Sequence, residues 1–106
     1  MSAYLLTVGV VDGAPEKKTP KGSRAVVTAK IRVRDSHSIQ FFNITAFEER
    51  VADELARLSN GDVIAVQGRF TPNAFQHVGA TKISFGIVAE QVLVLRGAAT
   101  ELAQID

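Results

Sequence analysis

The chain has no cysteine and no tryptophan, a single tyrosine, two histidines and three prolines, and its formal net charge is only +1. Each shortage excludes something. Without cysteine there is no disulfide framework and no thiolate for metal or redox chemistry, and two histidines are too few for a histidine-based zinc site unless carboxylates help. No metal or other cofactor is expected. A Gly-rich phosphate loop after a strand, metal-ligand spacing and a Ser-His-Asp constellation are all missing, so the chain does not read as an enzyme. Near-zero net charge lacks the strong basic excess that by itself announces a polyanionic partner. The apolar run in MSAYLLTVGVV is short, broken by Thr7 and Gly9, and carries no positive leader. Neither a signal peptide nor a membrane span is expected, and a cytoplasmic protein is the default.

What is present suits one soluble domain with one core: 106 residues, 46% of them hydrophobic and 22% charged. The distribution of charge says more than its sum. Lys17, Lys18, Lys21, Arg24, Lys30, Arg32 and Arg34 make the first third basic, while Glu48, Glu49, Asp53 and Glu54 fall in a predicted helix and Glu101 and Asp106 in the tail.

Tyr4 to Val11 reads as a first strand in which Gly9 marks a bend or bulge of a curled sheet. Residues 14–23, APEKKTPKGS, read as a solvent-facing loop. Ala25 to Arg34 alternates: Ala25, Val27, Ala29, Ile31 and Val33 share one face, and Val26, Thr28, Lys30, Arg32 and Arg34 share the other. This predicts a half-buried strand with a basic outer face. The tight polar connection Asp35 to Ser38 then leads into a strand from Ile39 to Phe47, making a hairpin. There Phe41, Asn43, Thr45 and Phe47 lie opposite Phe42, Ile44 and Ala46, so both faces carry aromatics and only one can line the core.

From Glu48 the period changes to helical, with Val51, Ala52, Leu55 and Leu58 on one face and Glu48 and Glu49 at the positive end of the helix dipole. Asn60-Gly61 stops the helix. A strand from Asp62 to Phe70 follows, then a break at Thr71-Pro72-Asn73, a hairpin with Gly79 near its turn, and a long last strand from Lys82 to Leu95 that can bend at Gly86. Strand, strand, strand, helix, strand, strand predicts an all-β, five-stranded closed barrel with one α-helix between its third and fourth strands. That is the order of the OB-fold.

Within this order the segment FFNITAFEERVADELARLSNGDVIAVQGRF is similar to the bacterial single-stranded DNA-binding protein family. The family pattern has an aromatic-led third strand, the helix, an Asn/Lys-Gly stop, a Val-rich strand and a Gly-Arg/Gln-hydrophobic corner. TPKGSRAVV resembles its Pro-Asn-Gly turn and second strand, and ISFGIVAEQVLVL its closing strand. The resemblance covers roughly residues 4–96. It implies a nucleic-acid-binding OB domain over 1–97 with a short tail at 98–106, a single-stranded DNA partner, a homo-oligomer (tetramer or dimer), and a role in DNA replication, recombination or repair in a bacterial, nucleoid-associated setting. Its stacking positions fall on Phe41, Phe47 and Phe75, the first and last being Phe where the family usually has Trp; a further one falls near His37.

Two departures stand out. The family's long hairpin between strands two and three is cut to Asp35 through Ser38. Its Gly/Pro-rich linker and acidic, Phe-terminated peptide have no counterpart in the stretch ending Ala103-Gln104-Ile105-Asp106, so tail-mediated recruitment of repair enzymes is not expected. A specialised paralogue, or a phage, plasmid or primosomal protein resembling primosomal replication protein N, fits these departures.

The physical case stands beside the resemblance. A general single-strand binder needs flat rings for bases and cations for the phosphate line. Lys30, Arg32 and Arg34 project from one face of the second strand, and Phe41, Asn43 and Phe47 from one face of the third. Arg69, Phe75 and Lys82 extend the candidate surface. The competing readings are a solvated strand face with phenylalanines covered by a subunit, or an OB-fold interaction or assembly module that has lost DNA binding. RNA is a third possibility, although nothing here reads a ribose hydroxyl.

Overall fold

The structure is a computed structural model. It describes residues 3–22, 24–34 and 36–97, with backbone alone at Phe75, His77, Thr81 and Lys82; the tail at 98–106 lies outside the described residues. Among the described residues, seven strands and one helix follow in the order β1 (Tyr4–Val11), β2 (Glu16–Lys18), β3 (Val26–Arg34), β4 (Ile39–Ala46), α1 (Glu49–Ala56), β5 (Val63–Phe70), β6 (Asn73–His77) and β7 (Ala80–Arg96).

Five of these close a barrel. The sheet runs β1-β5-β7-β4-β3, and pairing of Val10 with Arg32 and Val11 with Ile31 joins β1 back to β3. All neighbours are antiparallel except β4 and β7, which run parallel from Phe42/Phe85 to Thr45/Val88. The architecture is the predicted all-β OB-fold barrel, with α1 between its third and fourth strands. β6 forms a hairpin with β7 outside the barrel, as its Gly79 turn predicts. One expectation is corrected: within 14–23, read as loop, Glu16–Lys18 forms β2, which pairs with Val26–Thr28 at the sheet edge. Three charged residues have no strand propensity of their own, and the pairing to β3 supplies it.

Alternation decides which side faces in. Val27, Ala29 and Ile31 of β3, Ile44 and Ala46 of β4, Ile64 and Val66 of β5 and Ile87 of β7 are buried, and Val51, Ala52 and Leu55 cap the barrel from α1. Each fully buried Val, Ile or Leu contributes about 1.5–3 kcal/mol relative to exposure. The helix is eight residues long, too short to persist alone; its buried face holds it. Half-buried Phe42, Phe70 and Phe85 cluster with centroids 5.5–6.5 Å apart on the inward side, which settles which aromatics of β4 face in.

Closure needs two close approaches. A Cβ on Gly9, where β1 passes from β5 to β3, would lie 2.8 Å from the Arg32 carbonyl oxygen. At Gly68, beside an irregularity in the β5–β7 register, it would lie 2.0 Å from the Val88 carbonyl oxygen. The turn after α1 docks on the end of β1: Val11 N–H donates to Asp62 O (2.8 Å) and Gly61 N–H to Val11 O (2.9 Å). Gly13 N–H donates to Asn60 Oδ1 (2.8 Å), so the predicted helix-stop asparagine also clamps the β1–β2 turn.

Candidate nucleic-acid interface

Inward burial on β3 and β4 leaves their other faces together on the outside. The register sets Thr28 against Thr45, Lys30 against Asn43, Arg32 against Phe41 and Arg34 against Ile39. The row of cations therefore runs beside Ile39, Phe41 and Asn43, with the aromatic at the centre. Phe41 is 48% exposed, and the Lys30 ammonium lies 5.7 Å from its ring centre, within cation–π range. Phe47, 54% exposed, follows the end of β4 on the same alternation.

Two clefts flank the Lys30/Asn43 pair. One, of about 330 Å³, is lined by Lys30, Ile39, Phe41, Asn43, Ser84 and Phe85; the other, of about 440 Å³, by Asp12, Glu16, Thr28, Lys30, Asn43 and Thr45. Lys30 and Asn43 belong to both. A third hollow along β1 includes Arg32 and Arg34. These are open surface troughs with cations along their walls, a form suited to an extended chain.

The remaining candidates lie apart from this centre. Arg69 is exposed on β5, where its register partner across the sheet is Val88, itself opposite Thr45. It therefore shares the outer face but sits two strands from β4. Phe75 and Lys82 are register partners in the β6–β7 hairpin; their side chains lie outside what the structure describes. His37 sits in the β3–β4 connection beside Arg34, Ser36 and Ser38.

Sequence reasoning misses three members of this surface. Asp12 Oδ1 lies 3.5 Å from Arg32 Nη1, so the central cation of the row carries an internal partner. Nothing local signals this, because the β1–β3 closure brings the two residues together. Ser84 and Phe85 were likewise not singled out. Among the described residues, no group of three or more His, Cys, Asp or Glu is placed to hold a metal ion, and no helix is long and apolar enough to cross a membrane.

A second outer surface is apolar. Tyr4, Leu6 and Val8 of β1 are exposed, Leu6 by 69%, and Val8 pairs with Ala65, which pairs with exposed Leu93 of β7.

No protein-family model matches the chain, and no curated protein matches it in sequence. Solved structures do match in shape. The small single-stranded DNA-binding protein of Streptomyces coelicolor superposes with a TM-score of 0.72 at 21% identity, over 88% of this chain and 94% of that one. The S. cerevisiae mitochondrial single-stranded DNA-binding protein Rim1 gives 0.75 at 16% identity, over 92% and 99%. The Plasmodium falciparum SSB, solved with single-stranded DNA, gives 0.70 at 18% identity, over 90% and 95%. At such identities the likeness establishes the fold, over nearly the full length of each chain.

Proposed function

We propose that this chain binds single-stranded DNA without sequence preference, stacking bases on exposed phenylalanines and neutralising the backbone with Lys30, Arg32 and Arg34. The observation that carries the reading is Phe41, half exposed beneath the Lys30 ammonium and opposite Arg32 in register. Ring and cation are what a base and its phosphate require at neighbouring points. The solved proteins with this fold, described as single-stranded DNA-binding, support the same partner. Asn43 supplies a polar contact between the two clefts; Phe47, Arg69, Phe75 and Lys82 extend the path. Replication, recombination or repair is the setting in which such a protein serves, in the bacterial cytoplasm with the nucleoid, and no catalytic step is assigned to it.

The exposed apolar strip of Tyr4, Leu6, Val8 and Leu93 supports assembly as a homo-oligomer, a dimer or a tetramer, because burying it removes apolar surface from water. The same strip supports the other reading, an assembly module without DNA binding. Fluorescence-anisotropy titration of labelled oligo-dT separates the two. With about five phosphates neutralised, log K should fall against log salt with a slope near −3.5. Replacing Lys30, Arg32 and Arg34 together by Ala should abolish binding. Absence of binding by the wild type at low salt would leave the assembly module standing.

A further inference from the structure

The cations of the β3 row differ in what already faces them. Lys30 lies over the Phe41 ring, and among the described residues no ion pair joins Lys30 or Arg34 to a carboxylate. Arg32, between them, is engaged by Asp12 at 3.5 Å, each side chain about two-fifths exposed. We infer that Asp12 is an internal competitor for the phosphate at Arg32, a residue that sets the affinity of the face by occupying its central cation. This rests on single-strand binding by that face.

The carboxylate is held in place by backbone. Asp12 N–H donates to Lys30 O at 2.8 Å, and the preceding residue, Val11, pairs with Ile31 and donates to Asp62 O at 2.8 Å. Asp12 therefore stays beside β3 whether or not Arg32 keeps its contact. A phosphate reaching Arg32 must displace the carboxylate from the guanidinium and then remain close to an uncompensated negative charge. Asp12 also lines the cleft that holds Lys30 and Asn43. Glu16, the other carboxylate of that cleft, differs: it pairs loosely with Lys18 at 4.0 Å, with both side chains mostly in water.

The test is oligo-dT affinity over a salt series for wild type, Asp12→Asn, Arg32→Ala and the double variant, with thermal midpoints taken for all four. Asn keeps the shape and the backbone bond of Asp12, and Asp12→Ser is a second neutral replacement. Asp12→Asn should bind about two- to fivefold more tightly at low salt, the scale of an exposed ion pair. The gain should vanish in the Arg32→Ala background, and Arg32→Ala should cost more in Asp12→Asn than in wild type. Unchanged or weaker binding by Asp12→Asn would overturn the inference and make Asp12 a positioning residue for Arg32. A gain that persists without Arg32 would overturn it too, leaving only a general charge effect. Failure of all four proteins to bind at low salt would overturn both this and the single-strand reading.

Discussion

The Lys30 ammonium stands 5.7 Å from the centre of the Phe41 ring, across the β3–β4 hairpin, and leaves nearly half of that residue in water. A cation and a π-face presented together can be separated by mutation, because each affects binding differently. Phe41→Ala should cost about 1–3 kcal/mol of oligo-dT binding. It should leave the salt slope unchanged. Lys30→Ala should reduce the slope by about 0.7, the value of one phosphate contact on a single strand. Anisotropy titrations at several salt concentrations read both quantities, and a slope change in Phe41→Ala would contradict the division of labour.

Gly68 has the least room for a side chain. Its missing Cβ would lie 2.0 Å from the Val88 carbonyl oxygen, a clash with backbone that no rotamer relieves. Gly68→Ala should destabilise the fold by about 1–3 kcal/mol or more through forced separation of β5 from β7. Urea denaturation measures it. Gly13, whose added Cβ would meet nothing within 4 Å, has a φ of +84°, so Gly13→Ala tests backbone strain without a clash.

The β6–β7 hairpin turns on Val78 and Gly79, both with positive φ (50° and 75°). Such a two-residue turn favours Asn-Gly, and a β-branched residue is strained there. Val78, 91% exposed, gains no burial in compensation. Val78→Asn should stabilise the protein by about 0.5–1 kcal/mol. Chemical denaturation and amide exchange of the hairpin test it, and a loss of stability would mean that the valine is held by contacts beyond this chain.

Leu6 lies on the apolar strip, 69% exposed and opposite Gln67. Leu6→Glu should leave the monomer fold intact, since among the described residues none covers Leu6, but should reduce sedimentation mass toward one chain. Unchanged mass in both proteins would remove the strip from any role in assembly.

What was legible in the sequence was whatever depends on local periodicity. The inward set Val27, Ala29 and Ile31 follows from a period of two, the shared face of Phe42, Ile44 and Ala46 from the same period, and Val51, Ala52 and Leu55 from a helical one. The stripe of Lys30, Arg32 and Arg34 beside Phe41 follows from the same alternation and a short connection. The missing parts are non-local. β2 exists because an edge of β3 pairs with it, Asp12 reaches Arg32 through barrel closure, and Ser84 and Phe85 enter the cleft through the parallel β4–β7 pairing. Even the choice between Phe41 and Phe42 as core aromatic needed Phe70 and Phe85, distant in sequence, to meet Phe42.

That parallel pairing also orders events during synthesis. The β3–β4 hairpin closes across a four-residue connection and is complete early, whereas Ile44 meets its partner Ile87 only after more than forty further residues have been made. Short loops close at low entropic cost, and distant pairs must wait. The emerging chain thus holds a finished charged exterior and an uncovered apolar lining at the same time. A nascent chain halted before Ala80 keeps Ile31 and Ile44 in water with β4 as an unpaired edge, and such intermediates aggregate. The polar outer face of this hairpin then acts as a solubilising coat for a half-made barrel.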